Sequence, residues 1–238
     1  MDGCRVGWCC VALAGDGWRA EVAATIDAAW EAFGHAELIL IDIPIGLKDA
    51  GTAPRSCEVL ARRLLRNRAS SVFTPPLRPA LQCSTYAEAS ALNFALSGRK
   101  LSRQAWGIAG KIREADAFLS RCKAGRGRLR ESHPEVLFAT LNGDVPMQHP
   151  KRTEAGKRER GGLLSTYVPA PESVIAALRR YHPKRAVADD DVLDACVLAV
   201  CARLCVDGGI AALPPTAELD ARGLPMEMVY PQLPMPHR

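Results

Sequence analysis

The sequence predicts one mixed α/β layer domain with a mostly helical insertion. Three observations lead there: a hairpin pattern at the N-terminus, a short strand apolar on both faces apart from one carboxylate, and a long C-terminal helix apolar nearly all round. The 238 residues are enough to bury a sizeable core, and 48% apolar with 24% charged residues is ordinary globular composition.

In chain order, residues 6–14 (VGWCCVALA) read as a strand, Gly15–Gly17 as a hairpin turn and Trp18–Ile26 as the returning strand. Asp27 suits the N-cap of a short helix, DAAWEAF. Leu38–Ile43 is apolar except for Asp42, the pattern of a strand covered on both faces, and Pro44 stops it. Residues 48 to about 127 form the insertion. Within it CEVLARRLLRNR, TYAEASALNFALSG and SRQAWGIAGKIREADAFLSRCK have helical spacing, and the prolines of SSVFTPPLRP demand a loop. RLRESHPEVLFATLNG is predicted as a strand closed by an Asn-Gly turn, and residues 151–166 as polar and irregular. PESVIAALRRY is a short amphipathic helix opening on Pro171. DDDVLDACVLAVCARLC is a buried helix with Asp189 at its N-cap. The Pro-rich tail holds one strand-like piece, MEMVY, and no internal repeat is apparent.

No apolar run reaches the ~18 residues of a membrane span, and no basic stretch leads into an apolar core as in a signal peptide, so the expected location is the cytoplasm. The nine cysteines include no C-x-x-C and sit in apolar surroundings, which predicts reduced structural thiols. Charge is uneven: Arg99–Arg130 carries ten Lys and Arg against two acids, Glu114 and Asp116, and KRTEAGKRER follows at Lys151–Arg160. Such runs fit a nucleic-acid partner, and equally fit solvated helix faces. Aromatics at 5% leave room only for a small base-stacking platform.

Several carboxylates call for a partner. Asp42 ends an apolar strand, where it either meets a cation or caps the following loop. Asp191 and Asp194 lie three apart on one helix face, and Asp194 has apolar neighbours. Two such carboxylates repel unless a divalent cation or a shared proton relieves them. Glu131, His133 and Glu135 share a face if their stretch is extended, with His133 either a site residue or a hydrogen-bonded structural one. Together with Asp2, the set Asp42, Glu131, Asp191 and Asp194 offers oxygen ligands that favour Mg²⁺ or Mn²⁺ over zinc.

DGCRVGW, IDIPIGL, NRASSVF, GIAGKIREAD, ESHPEVLFATLNG and DDDVLDA, in that order, resemble a widespread family of uncharacterised proteins regarded as predicted RNase H-like nucleases. The likeness runs from Asp2 to about Val206 and is reinforced by MEMVY, so it spans nearly the whole chain as a single domain. It implies a central sheet of three antiparallel strands followed by parallel ones, flanked by helices. It also implies Asp2 as the first-strand acid, Asp42 as the acid of the next parallel strand, and Asp191 and Asp194 as helix acids. Glu131 and His133 would line the active site.

The expected activity is metal-dependent phosphodiester hydrolysis, with Asp2, Asp42, Asp191 and Asp194 holding Mg²⁺ or Mn²⁺. The phosphate backbone would then lie on Arg62, Arg68, Lys111, Arg113 and His133. The alternatives are a non-catalytic nucleic-acid-binding protein on the same fold and a nucleotide phosphohydrolase or phosphotransferase. Only Met1 precedes Asp2, whereas related sequences carry several residues there, so Asp2 is expected to be weakly braced until a few apolar residues are placed ahead of it.

Overall fold

Strand pairing begins at the second residue. In the computed structural model, which describes residues 1–15, 17–168 and 171–233, β1 (Asp2–Cys4), β2 (Gly7–Ala14) and β3 (Gly17–Ala23) form an antiparallel sheet in that order. Asp16, the centre of the expected turn, lies outside the described residues, and Ala14 pairs with Gly17 on either side of it. The β1–β2 turn requires glycine at position 7: its φ is +150°, and a Cβ there would stand 2.0 Å from the carbonyl oxygen of Ala23.

β4 (Ile39–Ile41) and β5 (Leu129–Glu131) pair in parallel, Ile39 with Leu129 and Ile41 with Glu131. Met1 joins the two sheets. Its amine donates to the Leu40 carbonyl at 2.7 Å, and its own carbonyl accepts from the Asp42 N–H at 3.1 Å. This is the hydrogen-bond pattern of parallel neighbours, so the order is β3-β2-β1-β4-β5. Asp2 is accordingly paired through β1 on one side and tied through Met1 to β4 on the other, firmer support than a strand beginning one residue earlier suggests. A last hairpin, β6 (Ile210–Leu219) and β7 (Pro225–Pro231), lies beyond β5, where the Ser132 hydroxyl donates to the Val229 carbonyl at 2.7 Å.

The helices are α1 (Ile26–Phe33), α2 (Ser56–Leu65), α3 (Tyr86–Ser97), α4 (Arg103–Gly107), α5 (Ala109–Arg121), α6 (Pro134–Leu141), α7 (Glu154–Leu164), α8 (Pro171–Arg179) and α9 (Asp189–Gly208). They cover both sheet faces, and strand alternation assigns the sides. Cys9, Val11 and Leu40 pack with α6, α8 and α9, whereas Trp8, Cys10, Ile39, Ile41 and Leu129 pack with α1 and α5. α9 is buried almost throughout because strands β1, β2 and β4 lie on one side of it and α6, α7 and α8 on others. Segment 48–127 is mostly helical, and α5 within it belongs to the main core; a small cluster of Ala80, Ala89, Leu101 and Ala105 holds α3 and α4.

Five local expectations are corrected. Thr25, not Asp27, caps α1, its hydroxyl accepting from the Ala28 N–H at 3.2 Å. Ala188 precedes α9, so Asp189 is its first helical residue. RLRESHPEVLFATLNG gives only the three residues of β5 before Pro134 opens α6, where its fixed φ and missing N–H are tolerated. Residues 154–164 are helical, with Thr153 capping Gly156 at 3.0 Å and Arg160 buried against Glu135. β6 was hidden by Pro214 and Pro215, which fall where the ladder shifts register between Leu213 and Glu218 and no strand donor is needed. Of the Pro-rich tail, residues 234–238 lie outside the described residues.

All nine cysteines are free and most are buried. Among the described residues no helix is long and apolar enough to cross a membrane.

Candidate active cleft

The sheet register decides which acids meet. Met1 bridges to Ile41, so Asp2 and Asp42 are the next residues on adjacent parallel strands, about 4.8 Å apart in the backbone. Both side chains leave the sheet on the α9 face, the side of Cys4 and Leu40. The carboxylates of Asp2 and Asp42 have no hydrogen-bond partner among the described residues, so Asp42 does not cap the loop that follows it.

Across from them α9 presents Asp190, Asp191 and Asp194. Together with Asp2, Asp42, Glu131, His133, Glu135, Lys111, Lys151 and Arg152, the first two line an open cleft of about 530 Å³; Asp194 lies just behind its wall, 1% exposed. Asp191 has one oxygen on the Ala188 N–H at 2.9 Å. Asp189 serves the fold instead: burial pushes it up, but Arg179 and Lys184 outweigh burial and hold it down at about 2, with the Lys157 ammonium 3.5 Å away.

Lys151, on the stretch leading into α7, places its ammonium 2.5 Å from Asp194. The sequence flagged this residue only as part of a basic run; nothing in its spacing marks it as the counter-ion of a helix acid forty-three positions away. Burial opposes its charge, but Asp194 and Asp2 outweigh burial and raise its pKa. Burial, followed by the like charges of Asp42 and Asp194, pushes Asp2 well up from the usual carboxylate range. Burial likewise pushes Asp194 up to about 7, opposed by Lys151 and reinforced by Asp42 and Glu135.

This carboxyl gives the protein a pH dependence. Between the ordinary value of 3.8 and about 7, folded Asp194 holds a proton that the unfolded chain has lost. Its contribution to stability is therefore complete below 3.8 and disappears as pH rises to about 7. The urea midpoint of the protein should fall across that window, and Asp194→Asn should flatten the fall. Parallel profiles for the two proteins would refute this assignment.

Glu131 does not join the aspartates. It pairs with Ile41 in the ladder, so its side chain leaves on the α1/α5 face, opposite to Asp2 and Asp42. There Arg55 holds it with two bonds of 2.7 and 2.8 Å, and the Ile45 N–H donates to it at 2.6 Å. Burial raises its pKa to about 7 against the pull of Arg55. The expected grouping of Glu131, His133 and Glu135 on one face fails because the strand ends before His133 and Pro134 begins a helix. His133 remains at the cleft wall with Nε2 3.3 Å from the Ser71 carbonyl. Glu135 bonds Arg160 at 2.6 Å through one oxygen and leaves the other buried without a partner.

Of the expected phosphate-binding cations, only Lys111 lines the cleft, stretched over Trp8 with its ammonium 4.4 Å from the ring and 2.5 Å from the Gly7 carbonyl. Arg62, Arg68 and Arg113 are not brought to it. Their guanidiniums brace loops by donating to the carbonyls of Val72, of Met147 and Gln148, and of Leu81. Arginine composition cannot distinguish a loop brace from a phosphate contact, since both use the same donors.

A family model described as "Protein of unknown function (DUF429)" matches residues 1–219. No curated protein and no solved structure matches the chain. With the motifs from Asp2 to the last helix all inside that span, the chain belongs to the DUF429 family.

Proposed function

We propose that the protein is an RNase H-like nuclease that hydrolyses phosphodiester bonds in nucleic acid at this cleft. The observation that carries the reading is the pairing of Asp2 and Asp42 as unbonded neighbours on parallel strands, facing the acids of α9. The order β3-β2-β1-β4-β5, with three antiparallel strands and then parallel ones, supports the RNase H-like assignment.

The donors fit a hard divalent cation in chemistry and charge. Asp2, Asp42, Asp191 and Asp194 supply oxygens only, and burial, with the like charges of neighbouring acids behind it, raises the pKa of Asp2 and Asp194. Among the described residues no three Asp, Glu, His or Cys side chains are grouped to enclose an ion, and the ammonium of Lys151 occupies the cluster. These four aspartates would hold Mg²⁺ or Mn²⁺, which supplies an activated water and neutralises phosphate charge when bound. The protein's own groups do the rest. Asp2 faces the cleft, where burial first and then the charge of Asp42 push its carboxyl well above the usual range. Lys151 bonds Asp194 with one of its three donors and has others for a phosphate oxygen.

Incubation with Mn²⁺ and labelled DNA and RNA, single- and double-stranded, tests the reading. Cleavage that a chelator stops supports it, and intact substrates throughout overturn it. Lys151 among the acids favours one second reading, nucleic-acid binding without cleavage, which predicts salt-dependent binding and no products.

Lys151→Met separates ammonium from cation. The variant should lose about 1–3 kcal/mol without metal, the cost of leaving a buried acceptor unpaired. Its Tm should then rise further on adding Mn²⁺ than that of the unaltered protein. Equal shifts would mean that lysine and metal do not share the cluster.

A further inference from the structure

Beside the acidic cleft is a second cavity of about 300 Å³, and the two share Arg55, Phe73 and Gln104 as a common wall. Their chemistry is opposite. The lining of the second cavity includes Lys48, Arg99 and Lys100 and not one Asp or Glu. Phe73, Pro75, Pro76 and Leu101 give it an apolar side.

The basic run Arg99–Arg130 also resolves here, all but the exposed Lys123, which lines neither cavity. Among the described residues, Lys111, Arg113, Arg126 and Arg128 donate to backbone carbonyls. Arg121 and Arg130 pair with Asp27 and Glu227, and Arg103 stacks on Tyr86 at 3.9 Å. Arg99 and Lys100 are exposed at the second cavity with no side-chain partner among the described residues. Arg55 in the shared wall is saturated by Glu58, Glu131 and the carbonyls of Ile45 and Gly46, so it divides the cavities and leaves anion binding to the other cations.

An acid-free cationic pocket with one aromatic and proline wall suits a phosphate joined to a flat apolar group. We propose that the second cavity receives an unpaired nucleotide next to the scissile phosphate, its phosphate on Arg99 and Lys100 and its base against Phe73. This rests on the nuclease reading of the adjoining cleft and narrows the substrate to a single strand or a frayed strand end. Duplex does not fit, because a base must leave its stack to enter a recess of about 300 Å³.

The test is fluorescence anisotropy in chelator, where binding is read without cleavage. The probes are fluorescein-labelled single strands of about ten nucleotides, as DNA and as RNA, against a duplex of the same sequence. The double variant Arg99→Ala, Lys100→Ala should bind the strands about tenfold more weakly, with the salt dependence reduced by about one to two phosphate contacts. Both residues are exposed, so its Tm should not change. Phe73→Leu, which keeps the apolar contact and removes the ring face, should lose about tenfold at unchanged salt dependence. Unaltered affinity in the double variant, duplex bound as tightly as strand, or no binding at all would each overturn the proposal. A double variant that binds normally while the protein still cuts in Mn²⁺ refutes the pocket alone. Binding lost in the double variant with no cleavage anywhere supports the pocket and refutes the nuclease.

Discussion

Asp42→Asn should lower Mn²⁺-dependent strand cleavage by about 10²–10³-fold, the scale on which losing one preorganised contact to developing charge slows an enzyme. Asparagine has nearly the same shape as aspartate. The N–H that holds position 42 to the Met1 carbonyl at 3.1 Å belongs to the backbone and survives. Because the carboxylate bonds to nothing among the described residues, its removal breaks no structural contact. It also relieves repulsion with Asp2 and Asp194. The variant should therefore be folded and at least as stable as the parent, with the loss confined to turnover. Product formation on a labelled strand, with thermal unfolding alongside, reads both. Cleavage equal to that of the parent would remove Asp42 from the chemistry.

Arg55→Leu should destabilise the protein by about 3–5 kcal/mol, as expected when one partner of a buried ion pair is removed. Arg55, Glu58 and Glu131 are 2%, 0% and 3% exposed as side chains, and the guanidinium also serves the carbonyls of Ile45 and Gly46. With leucine there, two carboxylates remain buried without a cation, and Glu58 already has one unbonded oxygen. The double variant Arg55→Leu, Glu131→Leu should recover part of the loss, because it deletes one stranded charge. Urea unfolding of the single and double variants measures this. The same experiment tests what Glu131 does. As an anchor for the loop after β4, its replacement by Gln should cost stability and lower activity only as far as folding falls. Were Glu131 a reacting group, Glu131→Gln would abolish turnover in a protein of normal stability.

The two acids differ in how legible they were. Asp42 could be identified from the chain because a carboxylate closing an apolar strand is conspicuous in any tertiary context. Glu131 looked equivalent, an acid at the end of a second strand, but only the register showed it facing the other way. Pairing with Ile41 instead of standing beside Asp42 turns the side chain to the opposite face, since strand side chains alternate residue by residue. Asp194 was legible as a buried acid; its counter-ion Lys151 was not, since their contact is formed by packing α7 on α9. The helices α6 and α7 are not legible in the sequence for a related reason. α6 is buried on every side and shows no period, while α7 is capped by Thr153 and held by the buried Arg160 instead of by an apolar stripe.

By itself the sequence determined the α/β class, the N-terminal hairpin and the buried last helix, and it marked Asp42, Asp191 and Asp194 as acids in need of a partner, because apolar periodicity and the cost of burying a carboxylate are local properties. Tertiary structure alone decided the partners: that Met1 places Asp2 beside Asp42, that Arg55 takes Glu131, that Lys151 meets Asp194, and that Arg99 and Lys100 are left facing a cavity. Each of these joins residues far apart in the chain, and strand register and helix packing fix such pairings through the whole core, which no short window of sequence contains.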